Sequence, residues 1–238
     1  MGSEAMTCVV LAGGSSRRLG RDKMQEELNG EPLLLRVVRR LAALGTEIVV
    51  VTAPGADFRF PEGLRVRLAT DLRPGRGPIA GVHAGLSAAR SSHCFVAAGD
   101  MPFLNLDLVR YMLEISGPYD VVIPRHGVLL EPLHAVYSRR CLGPIEAALE
   151  AGENRIVAFF PHVNVRYVEG DVIERLDPGR LSFFNVNTQA DMERARRELG
   201  AWHGDCGFRV GRAMDGGRGG RGAGRVARAV RFGILGRV

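Results

Sequence analysis

Residues 7–23 read TCVVLAGGSSRRLGRDK, and this stretch decides the fold. Thr7–Leu11 is a short, β-branched, almost wholly apolar run, the pattern of a strand buried on both faces. It opens directly into Ala12-Gly13-Gly14-Ser15-Ser16-Arg17-Arg18-Leu19-Gly20-Arg21-Asp22-Lys23. A glycine-rich, hydroxyl-bearing, basic loop at the end of a buried strand is the natural cradle for phosphate oxygens. Glycines let backbone amides approach an anion, hydroxyls add donors, and Arg17 and Lys23 bring positive charge. No Gly-Lys-Ser/Thr closes the loop as in a Walker A sequence, and it does not read GxGxxG. The plainer alternative is a strand-to-helix turn with a solvated basic face.

Working outward, the same strand pattern recurs at Glu47–Thr52, Arg65–Ala69, Cys94–Ala98 and Asp120–Ile123. Between these runs the spacing predicts helices over Pro32–Leu44, Pro78–Ala89 and Leu106–Ile115, the last with Asn105 as N-cap. Alternating buried strands and helices imply an α/β fold with a mostly parallel sheet. After Pro124 the alternation breaks. A Gly127 turn, a strand at Leu133–Tyr137, helices near Leu142–Ala151 and Arg155–Phe160, and a strand at Asn164–Val168 suggest an inserted substrate-side region. A strand at Phe183–Val186 and a helix over Thr188–Leu199 close the body, with Thr188 and Asp191 spaced as a capping box.

Charge divides the chain in two. The 238 residues carry a formal net charge of +6, but eight Arg, no Lys and only two acids follow Gly200. The first 200 residues are therefore neutral, with 24 bases and 24 acids. Eleven Gly accompany the eight Arg in the last 38 residues, too few apolar groups for a core, so residues 201–238 read as a disordered basic tail on a domain of residues 1–200. Arginine among glycines can neutralise nucleic-acid phosphates, but Trp202, Phe208 and Phe232 are too sparse for stacking, and the expectation is an extension that binds no nucleic acid. Salt-sensitive RNA binding lost on truncation at Gly200 is the alternative. Four cysteines without CxxC, six histidines without metal spacing and no apolar run near 20 residues speak against disulfide frameworks, zinc sites and membrane spans. Reduced thiols and the absence of a secretion signal fit a cytoplasmic protein.

Three further motifs lie where strands end. Gly99-Asp100-Met101-Pro102 follows the fourth strand, which places Asp100 on the same sheet edge as the first loop, where a Mg²⁺ ligand belongs. Alone, such an Asp is as easily a turn former. Arg73-Pro74-Gly75-Arg76-Gly77-Pro78-Ile79-Ala80-Gly81 opens a helix and narrowly misses the dinucleotide fingerprint, which keeps a metal-independent NAD-binding oxidoreductase as an alternative class. A base or ribose contact is more economical. Phe184-Asn185-Val186-Asn187-Thr188 brings two amides to the end of a late strand.

Taken in order, LAGGSSRRLGRDK, GRGPIAGVHAGL, AGDMPF and FFNVNT resemble the molybdenum cofactor guanylyltransferases, the MobA-like nucleotidyltransferases, from about Thr7 to Leu199. The resemblance implies a three-layer α/β/α Rossmann-like nucleotidyltransferase fold. It implies transfer of GMP from Mg-GTP to the terminal phosphate of molybdopterin, with release of pyrophosphate. By position, Leu11, Ala12, Gly13 and Gly14 look like the purine and phosphate loop, with Arg17 and Lys23 facing the triphosphate. Asp71, Gly77, Pro78 and Gly81 look like further nucleotide contacts, Asp100 like the Mg²⁺ ligand and Asn187 like a second metal-side group. The product would pass to molybdoenzymes or their chaperones. Gly13 with Gly14, and Pro78 to Gly81, resemble the guanylyl branch. A CTP-using relative or one with a sugar-phosphate acceptor shares the loop and the Asp. Asn154 stands where the family often has Arg, in Glu153-Asn154-Arg155, and Leu19 where Met is usual.

Overall fold

A computed structural model describes residues 6–13 and 23–200, with Lys23 described in its backbone only. The basic tail, and Gly14 and Arg17 of the first loop, lie outside the described residues.

In chain order the elements are β1 (Thr7–Leu11), a 3₁₀ turn (Lys23–Gln25), β2 (Glu27–Leu28), β3 (Glu31–Pro32), α1 (Leu33–Ala42), β4 (Glu47–Thr52), β5 (Val66–Thr70), α2 (Pro78–Ala88), β6 (His93–Ala98) and α3 (Leu106–Glu114). There follow β7 (Val121–His126), β8 (Leu129–Leu130), β9 (His134–Ser138), α4 (Leu142–Glu150), a 3₁₀ stretch (Ile156–His162), β10 (Val165–Val168), α5 (Gly170–Leu176), a 3₁₀ turn (Leu181–Phe183) and α6 (Gln189–Leu199). The main sheet runs β5-β4-β1-β6-β9-β7-β10, with β8 hairpinned onto β7. All neighbours pair in parallel except β9, which is antiparallel to both β6 and β7. The sheet is mostly parallel, as the alternation predicts.

Strand β1 is an interior strand, third of the seven, and is wholly buried because both faces are covered. Cys8 and Val10 pack toward α1 and α3, whereas Val9 and Leu11 pack toward α2 and α4, so the period of two along one strand builds two cores. Helix α2 lies flush on the sheet. A Cβ at Gly85 would fall 2.3 Å from Val9 Cγ1, and one at Gly81 would stand 3.2 Å from Leu11 Cδ1. A third, smaller cluster (Leu28, Leu33, Phe103, Val186, Met192, Ala195) seats α6 against the β2–β3 hairpin and the loop after β6.

Helix starts follow their capping chemistry. Asn105 Oδ1 accepts from Asp107 N at 2.9 Å and Leu108 N at 3.0 Å. Thr188 and Asp191 form the expected reciprocal box. Pro32 sits just before α1 rather than inside it, because it ends the β2–β3 hairpin.

Two expectations give way. Phe183–Val186 is not a strand: Phe184 N bonds to Leu181 O and Val186 N to Asp100 O, so its amides serve a turn and a loop instead of a ladder. The predicted helix at Arg155–Phe160 is a 3₁₀ stretch, Ile156–His162, with Pro161 inside it, where an α-helix would set the proline ring against the carbonyl four residues earlier. Short elements with weak periodicity, β2, β3, β8 and α5, are additional to the sequence reading.

Candidate active site

The chain reverses its direction of travel across the sheet between β1 and β6. From β1 it steps outward through β4 to β5, then returns to place β6 on the other side of β1. In an open α/β sheet that reversal opens a crevice at the carboxyl ends of the two strands.

Hydrogen bonds join the loops around it. Ala12 N donates to Val51 O at 2.8 Å and Gly99 N to Leu11 O at 2.9 Å, which binds the end of β1 to the ends of β4 and β6. Asp71 N donates to Thr52 O at 2.9 Å, which brings the loop after β5 alongside. Ala12–Gly13, Asp71 and Asp100 therefore leave the sheet on one edge.

Leu11 is buried, Ala12 half-buried and Gly13 exposed, so the chain emerges into solvent as the loop begins. Lys23 opens the 3₁₀ turn that closes the loop. Half-buried Asp71 accepts from Arg73 N at 2.8 Å, an Asx turn that starts the Arg73–Gly77 loop. Gly77 and Pro78 are exposed at the start of α2, and Gly81 is buried one turn further in against Leu11. Gly77 has φ +71°, and a Cβ there would lie 2.5 Å from Asn154 O. Arg76 Nη2 donates to Leu149 O at the end of α4. His83 Nε2 lies 2.8 Å from Glu146 Oε1. The loop that opens α2 is thus docked on the α4 side, beside the Glu153–Asn154–Arg155 segment.

Asp100 is 8% exposed at the end of β6, and its backbone carbonyl accepts Val186 N at 3.0 Å. That bond lays the Phe184–Asn187 segment against the Asp100 loop. Asn105 N donates to Ser182 Oγ at 2.7 Å, Asn105 Nδ2 to Leu176 O at 2.7 Å, and Ser182 N to Asp177 Oδ2 at 2.9 Å. Asn185 is half-buried and gives its Nδ2 to Phe183 O at 3.2 Å, whereas Asn187 is exposed, its backbone amide bonded to Asp191 Oδ2 at 3.0 Å. The two amides are separated by turn geometry rather than by strand alternation.

No group of three or more His, Cys, Asp or Glu side chains able to hold an ion occurs among the described residues. A single buried carboxylate on a crevice suits a hard cation that takes one or two carboxylates and completes its shell with substrate phosphates and water. Asp100 meets that description. Thiol chemistry does not belong to the site: burial pushes Cys8 and Cys141 up to about 12 and Cys94 up to about 11, so all three are packing residues.

Sequence reasoning missed two features of the β6–β9–β7 half. One is His134, fully buried and edge-on to Phe95 and Phe183 with ring centroids 5.0 Å apart in each case. Its burial lowers its pKa to about 4. The other is the Glu131–Leu133 turn, whose only sequence signal is a Glu-Pro pair ahead of a strand-like run.

Residues 8–165 match the MobA-like NTP transferase domain family. A probable molybdenum cofactor guanylyltransferase from Pelotomaculum thermopropionicum is 42% identical over 192 residues, 80% of this chain and 91% of that protein. The crystal structure of molybdopterin-guanine dinucleotide biosynthesis protein A from Archaeoglobus fulgidus superimposes with a TM-score of 0.68 at 30% identity, covering 82% of this chain and 99% of that one. A 2-C-methyl-D-erythritol 4-phosphate cytidylyltransferase from Thermus thermophilus shares the fold alone, at 18% identity and a TM-score of 0.58 over 80% of this chain and 97% of that one. No helix among the described residues is long and apolar enough to cross a membrane.

Proposed function

The chain belongs to the MobA-like NTP transferase family, and from that premise we propose that it transfers GMP from Mg²⁺-bound GTP to the terminal phosphate of molybdopterin. The observation that supports this reading is the Gly99–Leu11 hydrogen bond, which joins the end of β1, from which the glycine-rich sequence continues, to the β6 end that carries Asp100 at the sheet's reversal point.

The donor nucleotide lies on the β1–β4–β5 side. The amides of Ala12 to Gly14 take its phosphates, and Asp71 and the exposed start of α2 at Gly77 and Pro78 take the nucleoside. Gly81 holds α2 close against Leu11. Arg17 and Lys23 stabilise the pyrophosphate as it leaves. Asp100 would hold the Mg²⁺, with Asn187 offering a further oxygen. When bound, the ion neutralises phosphate charge. A terminal-phosphate oxygen of the acceptor forms the new bond to the α-phosphorus as the bond to the β-phosphate oxygen breaks. That displacement needs alignment and charge stabilisation more than a base, because a phosphate monoester is already anionic near neutral pH. The reaction needs no catalytic histidine, and the buried His134 is excluded from that role by its surroundings. A cytoplasmic setting supplies GTP, and the product passes to molybdoenzymes or their chaperones.

The test is thermal unfolding of the full chain with Mg²⁺ and each of GTP, CTP, ATP and NAD, followed by product analysis with molybdopterin. A ligand at a hundredfold its Kd stabilises by about 2.7 kcal/mol, roughly 5–10 °C for a body of this size. The expected result is a Mg²⁺-dependent shift with GTP and formation of a guanine dinucleotide product. A shift confined to CTP moves the chain to cytidylyl transfer, and a metal-independent shift with NAD refutes nucleotidyl transfer.

A further inference from the structure

Glu131 is a carboxylate that the fold fixes firmly and that no described residue pairs. It stands in the turn between β8 and β9, and four hydrogen bonds hold that turn. Glu131 N donates to Pro124 O at 3.2 Å, His134 N to Glu131 O at 3.0 Å, Tyr137 OH to Pro132 O at 2.7 Å and Ala98 N to Leu133 O at 3.2 Å. The last bond ties the turn to β6 two residues before Asp100.

The side chain is half-buried, and no described residue gives its carboxylate a hydrogen bond or an ion pair. Burial pushes its pKa up, and no cation among the described residues opposes the shift. Four carboxylates of this half of the molecule are paired with arginine: Asp120 with Arg140 at 2.6 Å, Glu153 with Arg155 at 3.7 Å, Glu169 with Arg125 and Glu174 with Arg180. A partly desolvated carboxylate without a partner costs stability, and the cost is recovered when a ligand brings donors. Its rigid seat means little freedom is lost when it does so.

Its place in the sheet says which substrate that would be. Donor loops gather on the β1–β4–β5 side of the reversal point, which leaves the β6–β9–β7 side, where Glu131 stands, for the acceptor. We infer that Glu131 sets acceptor specificity by accepting paired N–H bonds from the amino-pyrimidinone edge of a pterin-class ring. This inference rests on the reading that the acceptor is molybdopterin. Such an edge presents a ring N–H and an exocyclic NH₂ side by side, matching the two oxygens of a carboxylate, and charge-assisted bonds of this kind are the strong ones. A ring with a carbonyl in place of the amino group would set an acceptor against the carboxylate and be rejected.

Steady-state transfer by the full chain, with Mg²⁺, GTP and molybdopterin varied separately, tests it. Glu131→Gln keeps the shape but faces one donor with an NH₂. The expected result is a rise in KM for molybdopterin of about tenfold or more. The KM for GTP and, within about twofold, kcat should stay at wild-type values, and the Tm should hold or rise, because the desolvated charge is removed. Glu131→Asp, which keeps the charge on a shorter arm, should fall between. An unchanged acceptor KM in Glu131→Gln overturns the inference, as does a defect confined to GTP or to Mg²⁺ dependence. A wild-type chain that makes no product from molybdopterin is a different failure, that of the proposed function itself.

Discussion

The two sides of the sheet's reversal point are built by different means. On the β1–β4–β5 side, parallel strands end in register and their loops are joined by short backbone bonds, Ala12 to Val51 and Asp71 to Thr52. On the β6–β9–β7 side, an antiparallel strand intervenes and the edge is assembled from distant segments: Asn105 with Ser182, 77 residues on, and Asp100 with Val186. A nucleotide triphosphate presents the same phosphates and ribose to any enzyme, so repeated local geometry suffices for it. An acceptor of particular shape needs groups gathered from several elements. On the proposed function, the donor side is a motif and the acceptor side an assembly.

Asp100 stands on the seam between them, and its loss should have the largest effect. Asp100→Ala should lower kcat by about a hundredfold or more, as removal of a charge-positioning group at a phosphoryl centre does, while the backbone bond from Val186 keeps the fold. Near-normal turnover with Mg²⁺ would remove Asp100 from the metal site and shift the chemistry to one side of the seam.

The acceptor side should also be the acid-sensitive one. His134 is buried and neutral, with a pKa near 4 against 6.5 for an ordinary imidazole. The unfolded chain therefore binds a proton that the folded chain refuses. Stability is fully present above about pH 6.5 and declines as pH falls toward 4, by up to about 3 kcal/mol from this group. Urea unfolding at a series of pH values should show that slope, and His134→Phe, which keeps an aromatic ring between Phe95 and Phe183, should flatten it. A slope that persists in this variant places the acid sensitivity elsewhere.

Gly77 tests whether the two sides are mechanically joined. An alanine there would meet Asn154 O and hold an unfavourable positive φ. The expected cost is about 2 kcal/mol of stability, with a several-fold rise in the KM for GTP because the start of α2 is displaced. An unchanged GTP KM alongside lost stability would mean that the contact serves packing alone.

The same division governs what could be read from the sequence. Thr7–Leu11 and Glu47–Thr52 are legible as strands because burial on both faces leaves an unbroken apolar run, and Asn105 and Thr188 are legible because caps act within four residues. Phe183–Val186 is misread for the opposite reason. Its alternating apolar residues pack on His126, His134 and the α6 cluster, while Val186 N is claimed by a carbonyl 86 positions earlier in the chain, a partner no local pattern contains. Glu131 is silent in the sequence because its meaning is an absence of pairing, which only the folded neighbourhood defines. The loop from Gly14 to Arg17, conspicuous in sequence, falls in the part the structure does not describe.

The smallest effect is expected at Thr188, where the acceptor side ends in a local motif. Thr188→Ala removes the hydroxyl that accepts Asp191 N at 3.1 Å and donates to Asp191 Oδ2 at 2.9 Å. A lost N-cap costs about 1 kcal/mol, a fall in Tm of roughly 2–4 °C. The backbone amides of Asn187 and Thr188 would still reach Asp191 Oδ2, so α6 should keep its place. Activity is the sharper readout. If Asn187 lends an oxygen to the metal, loosening the turn that carries it should raise the Mg²⁺ concentration needed for half-maximal turnover more than it lowers Tm, and added Mg²⁺ should restore the rate. A fall in Tm with an unaltered Mg²⁺ requirement would confine Asn187 to the turn and leave Asp100 as the sole protein ligand on that seam.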